Sequence, residues 1–279
     1  MITSGRGPKE AIDSVSAAIY DTTDLSKRDV AGRLGPGRLM LGVFRGLAIL
    51  LFVLCVFVAL LTTNIRFLFS EQRVSQYAID DFGAVAASGI DRNQLLHGAS
   101  QMREYFRNKE DTLSVRVKQG DREVSLFNPR ETSHLKDVKF RLRLQNLAQE
   151  FSVVYVIAYM AIVVLWAREV STRALAVQVA AGSLLTLAVI GGLGAVSLAG
   201  FDSAWERLHL LIFSNDFWRL NPQTDHLIQM FPLEFWQNIV FFLGVVVAAE
   251  AALLVLGAAI FLGVTSRQPA PSRLSPSYT

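Results

Sequence analysis

ALAVQVAAGSLLTLAVIGGLGAVSLAGF, Ala174 to Phe201, runs 28 residues without a charged side chain. As a helix rising about 1.5 Å per residue, it outspans the roughly 30 Å hydrocarbon core of a bilayer. Lipid offers no partner for an open strand edge, so a helix is the form such a run takes. Three more runs answer the same description. Gly46 to Thr63 has 18 residues without a charge, Phe151 to Ala167 has 17, and Asn238 to Val264 is broken by Glu250 alone. Of the 279 residues 52% are hydrophobic and 18% charged, against about 25% charged in an ordinary soluble domain. The sequence predicts an α-helical integral membrane protein with four transmembrane helices.

Lys and Arg set its expected orientation. Lys27, Arg28, Arg33, Arg38 and Arg45 precede the first run, Arg168 and Arg173 flank the connection between the second and third, and Arg267 and Arg273 follow the fourth. Such residues concentrate on the cytosolic side, so both termini are expected there. The segment from Asn64 to Glu150 is also basic, but its 87 residues exceed the short loops that obey the rule. It is assigned, with the segment from 202 to 236, to a small extracytoplasmic α+β cap. The expected organisation is a poorly ordered cytosolic tail over 1–41, with a short helix over Ala11 to Tyr20, then a four-helix membrane domain over 42–266. Cap inserts fill 64–150 and 202–236, and 267–279 is a cytosolic tail. The first apolar run comes too late for a cleavable signal peptide, so the first span reads as a signal-anchor. This topology accounts for the net charge of +3, and no nucleic-acid partner is expected. The basic tail suits anionic lipid. The lone cysteine, Cys55, lies within the first run, which excludes an intrachain disulfide and a CxxC metal site. Leu54 before it is too large for a lipoprotein acylation site.

The cap has local signals of its own. Leu95, Leu96, Ala99, Met102 and Phe106 recur at helical spacing over Asp91 to Asn108, and Asp91 with Gln94 reads as a capping box. Leu113, Val115 and Val117 alternate, Gln119-Gly120-Asp121 turns, and Val124 and Leu126 alternate again, which predicts a hairpin. Asn128, Pro129 and Glu131 then supply an N-cap, a first-position proline and a third-position glutamate. The helix they start runs toward the second span and carries His134, Asp137 and Val138 on one face. Asp137 either orients His134 or turns with it toward a third group; a solvated first turn explains the pair as well.

The other cap segment, FDSAWERLHLLIFSNDFWRLNPQTDHLIQMFPLEFWQN, mixes aromatics with Asn215, Asp216, Asn221 and Asp225. Trp and Phe beside a span usually form an interfacial belt, yet the interleaved polar residues suit a pocket better. Ser203 with Glu206 reads as a capping box for a helix bearing His209. Pro222 is expected to start a second short helix and Pro232 to end it. His97 and His226 read as surface or structural. No GxSxG, HExxH, Walker loop or GxGxxG occurs, so the common hydrolase, metalloprotease and nucleotide signatures are missing. An enzyme built from these residues relies on acid–base groups and on a nucleophile that the substrate brings.

Three motifs together carry a resemblance: H-x-x-D-V at His134 to Val138, H-x-x-x-F-S-N-D-x-W at His209 to Trp218, and P-x-T-D-x-L-I-x-x-F-P at Pro222 to Pro232. In this order, with SLFNPRET at Ser125 to Thr132 upstream, the chain resembles the four-span bacterial membrane proteins that include lipoprotein intramolecular transacylase (Lit). The match covers roughly Gly42 to Gly263. It departs at Ile212, where an aromatic residue is expected before Phe213. The resemblance implies His134 and His209 as the catalytic pair, without dividing base from acid. It implies Asp137, Asn215, Asp216, Trp218 and Asp225 as substrate-binding residues, with no metal and no cofactor. It further implies a diacylglyceryl lipoprotein as partner, handled by a monomer among membrane lipid. The implied reaction moves the sn-2 acyl chain to the α-amino group of the lipoprotein's own N-terminal cysteine. Two other classes compete: a small ion-coupled transporter, suggested by Glu250 at mid-membrane, and a non-catalytic membrane anchor. Against the transporter, the spans show no inverted repeat or obvious polar stripe, and a protonated Glu250 against the Gly- and Ala-rich third span is an alternative to transport.

Overall fold

The computed structural model describes residues 36–119, 122–166 and 169–266. The helix expected over Ala11 to Tyr20, the turn at Gly120-Asp121, and Lys27, Arg28, Arg33, Arg168, Arg267 and Arg273 lie outside them. The chain divides into two units inside its first helix, after Leu51. Within the first unit the described stretch is helical, and its Leu39, Met40, Leu41, Phe44 and Leu47 face outward. The packing and the site described below belong to the second unit, from Phe52 onward.

Four long helices carry the apolar runs: α1 (Pro36–Ser70), α5 (Pro129–Trp166), α6 (Glu169–Ala199) and α9 (Leu233–Ser266). All four are long and apolar enough to cross a membrane. Their exposed Val, Leu, Ile and Phe side chains are what a lipid-facing surface requires. Small residues bring the helices together. A Cβ on Gly182 of α6 would stand 2.8 Å from Val56 Cβ and 2.9 Å from the Val53 carbonyl of α1, so only glycine permits this approach. Glu250 of α9 has a hydrogen-bond partner on the first span: its Oε2 accepts from Asn64 Nδ2 of α1 at 2.7 Å. The Glu250 side chain thus links α9 to α1 through an amide.

α5 has 38 residues, about 57 Å at helical rise. Only its second half, from Phe151, is free of charge. Its first half, over 129–150, therefore projects beyond the hydrocarbon into the cap. There it meets α2 (Gln72–Asp81), α3 (Ala84–Ser88), α4 (Arg92–Arg107), β1 (Arg116–Gln119), β2 (Arg122–Ser125), α7 (Phe201–Ile212) and α8 (His226–Met230). The strands pair antiparallel with Val117 opposite Val124, as the alternation predicts. One hydrophobic core unites all of these except α7, with Ile79, Leu95, Tyr105, Val115, Leu126, Leu135, Met230 and Phe235 at its centre.

The predicted caps fare unequally. Asn128 Oδ1 accepts from the amides of Arg130 and Glu131, and Glu131 returns a bond from the Asn128 amide at 2.7 Å, the expected reciprocal cap. Asp91 caps α4 through the Asn93 amide at 2.8 Å, but Gln94 turns away to accept from the Lys118 amide of β1. α7 begins at Phe201 behind Gly200, ahead of the Ser203 expected to cap it, and Glu206 instead pairs with Arg219 at 3.1 Å. Pro222 starts a turn rather than a helix; α8 begins at His226.

Candidate functional site

α5 and α7 bring His134 and His209 together, their ring centroids 6.2 Å apart. α7 is amphipathic, and its inward face carries Trp205 and His209 one turn apart. Trp205 does two things for His209. Its ring stands edge-on to the imidazole, 4.8 Å between centroids, and its carbonyl meets His209 Nδ1 at 2.8 Å. A carbonyl only accepts, so Nδ1 carries the proton, and in the neutral ring the lone pair belongs to Nε2. Phe213 lies 5.1 Å from His134 and 5.6 Å from His209, and Trp218 lies 5.0 Å from His209. The aromatics beside the spans thus wall the histidines rather than form only a belt.

Burial behind these rings sets the electrostatics. His134 is 8% exposed. Desolvation, then the proximity of His209, pushes its pKa down from the usual 6.5 to about 4, against a smaller upward pull from Asp137. Desolvation also lowers His209, opposed by its bond to the Trp205 carbonyl. Both rings are therefore neutral near pH 7. His134 Nδ1 and Trp218 Nε1 are buried without a hydrogen-bond partner. Protein interiors rarely leave such atoms unpaired, since each costs on the order of 1–3 kcal/mol. Two in one cluster mark a place where a polar group is meant to arrive.

The remaining sequence-predicted residues divide. Asp137 is not bonded to His134; its Oδ2 accepts from Asn215 Nδ2 at 2.7 Å, which ties the loop after α7 to α5. Asn215 Oδ1 in turn accepts from the Phe217 amide at 3.1 Å, fixing the turn that presents Trp218. Asp216 turns its side chain outward, 77% exposed, toward Arg219 at 3.6 Å. Asp225 is buried in a separate junction, where it accepts from Asn128 Nδ2 at 2.9 Å, the Thr224 hydroxyl at 3.0 Å and the Asn221 amide at 2.8 Å. Glu131, 1% exposed, completes that junction by accepting from the Leu227 amide at 2.6 Å. His97 is exposed and meets Gln101 at 3.1 Å, and His226 meets Gln229 Oε1 at 2.7 Å.

Sequence reasoning passed over two contributors and half the role of a third. Trp205 precedes His209 by one helical turn, which puts the two on one face, whereas Arg141, two turns beyond His134, meets the site through the Phe213 ring, 5.9 Å away. Arg141 donates to the Ile212 carbonyl at 2.7 Å, closing the end of α7 onto α5. Glu131 was legible as a cap, but not as the partner of Leu227, since no local pattern encodes that bond. The histidines line neither of two clefts found at the cap. One, of about 500 Å³, is bounded by Ser125–Pro129 and His226. The other, of about 1230 Å³, lies against the ends of α1, α4 and the middle of α5.

Residues 50–236 match the family model described as lipoprotein intramolecular transacylase Lit. The chain belongs to the Lit family. Its fold is also that of solved members. The in meso structure of the membrane integral lipoprotein intramolecular transacylase Lit from Bacillus cereus superposes with a TM-score of 0.67 at 15% identity, covering 81% of this chain and 99% of that one. A structure of the same Bacillus protein with a histidine-to-alanine substitution gives 0.64 at 14% identity, over 83% and 100% of the two chains. No curated protein matches the sequence significantly. The family makes this chain an integral membrane transacylase of lipoproteins, and the transporter and anchor readings are not favoured.

Proposed function

We propose that this Lit-family protein moves the sn-2 acyl chain of a diacylglyceryl lipoprotein onto the α-amino group of its own N-terminal cysteine. The observation that carries the residue assignment is the neutral, aromatic-walled pairing of His134 and His209, with unpaired polar atoms beside it. The cysteine amine attacks the ester carbonyl, closing a ring through Cα, Cβ, sulfur, two glyceryl carbons and the ester oxygen. Holding the substrate folded supplies the proximity that such a ring lacks in solution. His209 Nε2, freed by the Trp205 carbonyl's hold on Nδ1, takes the proton that the amine loses. Trp218 Nε1–H donates to the oxyanion of the tetrahedral intermediate. The carbon–oxygen bond to the glyceryl group then breaks. The departing oxygen takes a proton from the imidazole of His134, which His209 restores. In sum an N–H and an ester become an amide and a glyceryl O–H. No enzyme nucleophile is consumed, which fits the absence of one in the sequence.

Asp137 and Asn215 hold the Trp218 loop against α5, Asp216 meets the substrate's polar end from the rim, and Asp225 supports the cap beneath. The cap faces outward with both termini in the cytosol, a reading supported by Arg45 ahead of the first charge-free run and Arg173 ahead of the third. The protein works as a monomer surrounded by membrane lipid. A reporter inserted near Gly120 should therefore report the outside, and one after Thr279 the cytosol.

The deciding experiment supplies a diacyl lipoprotein and reads its mass spectrum. Its intact mass should stay constant while the fragments move one acyl chain to the terminal amine. Prior acetylation of that amine should stop the reaction. A loss of one fatty acid would mean hydrolysis, and a gain would mean an external acyl donor; either outcome refutes intramolecular transfer.

A further inference from the structure

The larger cleft has a composition that the transacylase reading does not use. Arg66, Arg103, Arg107, Lys109 and Arg143 line it, against a single carboxylate, Glu150. That carboxylate is already held by Arg66 at 3.0 Å. Among the described residues, Arg103, Arg107, Lys109 and Arg143 form no ion pair with a carboxylate. The hydrogen bonds they do make go to neutral groups: Arg103 to the Ser75 hydroxyl at 2.9 Å and Arg143 to the Asn108 carbonyl at 2.9 Å. Four cations are thus gathered with no carboxylate at ion-pair distance, Glu71 acting on Arg103 only from farther away.

The setting names the class of anion. Arg66 follows the charge-free run of α1 by three residues, and Arg143 precedes Phe151 of α5 by about 12 Å of helix. The cleft therefore stands at the level of lipid headgroups, just beyond the hydrocarbon. Its other walls mix the polar Ser70, Asn108, Gln145 and Asn146 with Phe69, Phe106, Leu142 and Leu147, the last four being apolar surface suited to the upper part of an acyl chain. Arg guanidinium groups match phosphate oxygens in pairs.

We infer that this cleft binds the phosphate headgroup of an anionic phospholipid, with the first carbons of an acyl chain against Phe69 and Leu147. The diacylglyceryl group of a lipoprotein carries no phosphate, so the cleft is separate from the acyl-transfer site. It holds a structural lipid that fastens the underside of the cap, through α4, to the bilayer.

Native mass spectrometry of the full-length protein, released from micelles doped with equal phosphatidylglycerol and phosphatidylcholine, reads this directly. Wild-type protein should retain phosphatidylglycerol preferentially. Arg107→Gln with Lys109→Gln, both exposed, should retain it about fivefold less for each charge removed. Arg103→Gln is informative as well but disturbs the bond to Ser75, so the exposed double variant is the stricter arm. Arg122→Gln, on the hairpin away from the cleft, should behave as wild type. Equal retention of both lipids, or unchanged retention in the double variant, overturns the inference. So does displacement by inorganic phosphate or an acidic peptide at concentrations comparable with the lipid, since either would mean a ligand without a lipid tail.

Discussion

One turn of α5 separates two buried polar regions that treat their hydrogen bonds in opposite ways. Around Glu131 and Asp225 each carboxylate is met by donors: the amides of Asn128, Leu227 and Asn221, the Asn128 side chain and the Thr224 hydroxyl. Around His134 and His209 two polar atoms have no partner at all. The first arrangement is what a protein does with polar groups that hold its parts together. The second is stable only if the strain of leaving atoms unpaired is useful elsewhere, as in a site awaiting a reacting group. Charge alone would not have separated them, because both are buried and both contain titratable side chains.

Substitution on the unsatisfied side should hit chemistry hardest. His209→Ala and His134→Ala should each cut acyl transfer by roughly 10²–10⁴-fold while the protein still inserts and folds. An active, folded variant at either position would dissolve the distinction drawn here. Trp218→Phe keeps the wall and deletes only the N–H. It should lower kcat by roughly 10²-fold with little change in KM, as loss of one oxyanion donor does. If KM rose and kcat stood still, Trp218 would belong to substrate binding alone.

On the satisfied side the loss should appear as stability. Glu131→Ala leaves the Leu227 and Asn128 amides without their acceptor, a cost of about 1–3 kcal/mol for each buried donor so stranded. Thermal unfolding of the cap should shift down accordingly, while activity per folded molecule stays near wild type. Gly182→Val tests the membrane half in the same spirit. Its new side chain meets Val56 and the Val53 carbonyl, so α1 and α6 must part, and unfolding should come earlier by about 1–3 kcal/mol. Neither variant touches the histidines.

The contrast also explains what the sequence could disclose. Four spans are written as uninterrupted apolar runs, and the Asn128–Glu131 cap and the Val117–Val124 hairpin are written within a few neighbouring residues. The motif histidines were visible as residues and as a resemblance. Their 6.2 Å separation was not, because it depends on α7 packing against α5 across the cap. The same holds for Asp137: its spacing from His134 suggested a local pair, yet a longer-range donor, Asn215, won the carboxylate. Pro222 and Ser203 mislead for a related reason. Each is a sound local start signal, overridden where the chain must turn to reach Asp225 or begin its helix at Phe201.

The smallest expected effect, and the one that separates the two regions by proton alone, is pH dependence. His134 has a folded pKa of about 4 against 6.5 unfolded, and His209 is displaced the same way. The folded protein therefore binds fewer protons than the unfolded chain below 6.5. Stability is full above that pH and is lost as pH falls from 6.5 toward 4, because the unfolded state gains from protonation first. His134→Asn should flatten this slope, whereas Glu131→Ala should lower the whole curve and leave the His134 contribution to the slope in place. Activity should show something different. Both histidines stay neutral above 6.5, so the rise of kcat/KM on the acid side should track the substrate amine, at a pKa of about 7.7–8.0. An acid limb that moved on replacing His134 with asparagine, with substrate unchanged, would mean that a histidine and not the amine sets the profile. That result would return the site to an ordinary solvated pair and remove the physical difference between the two regions.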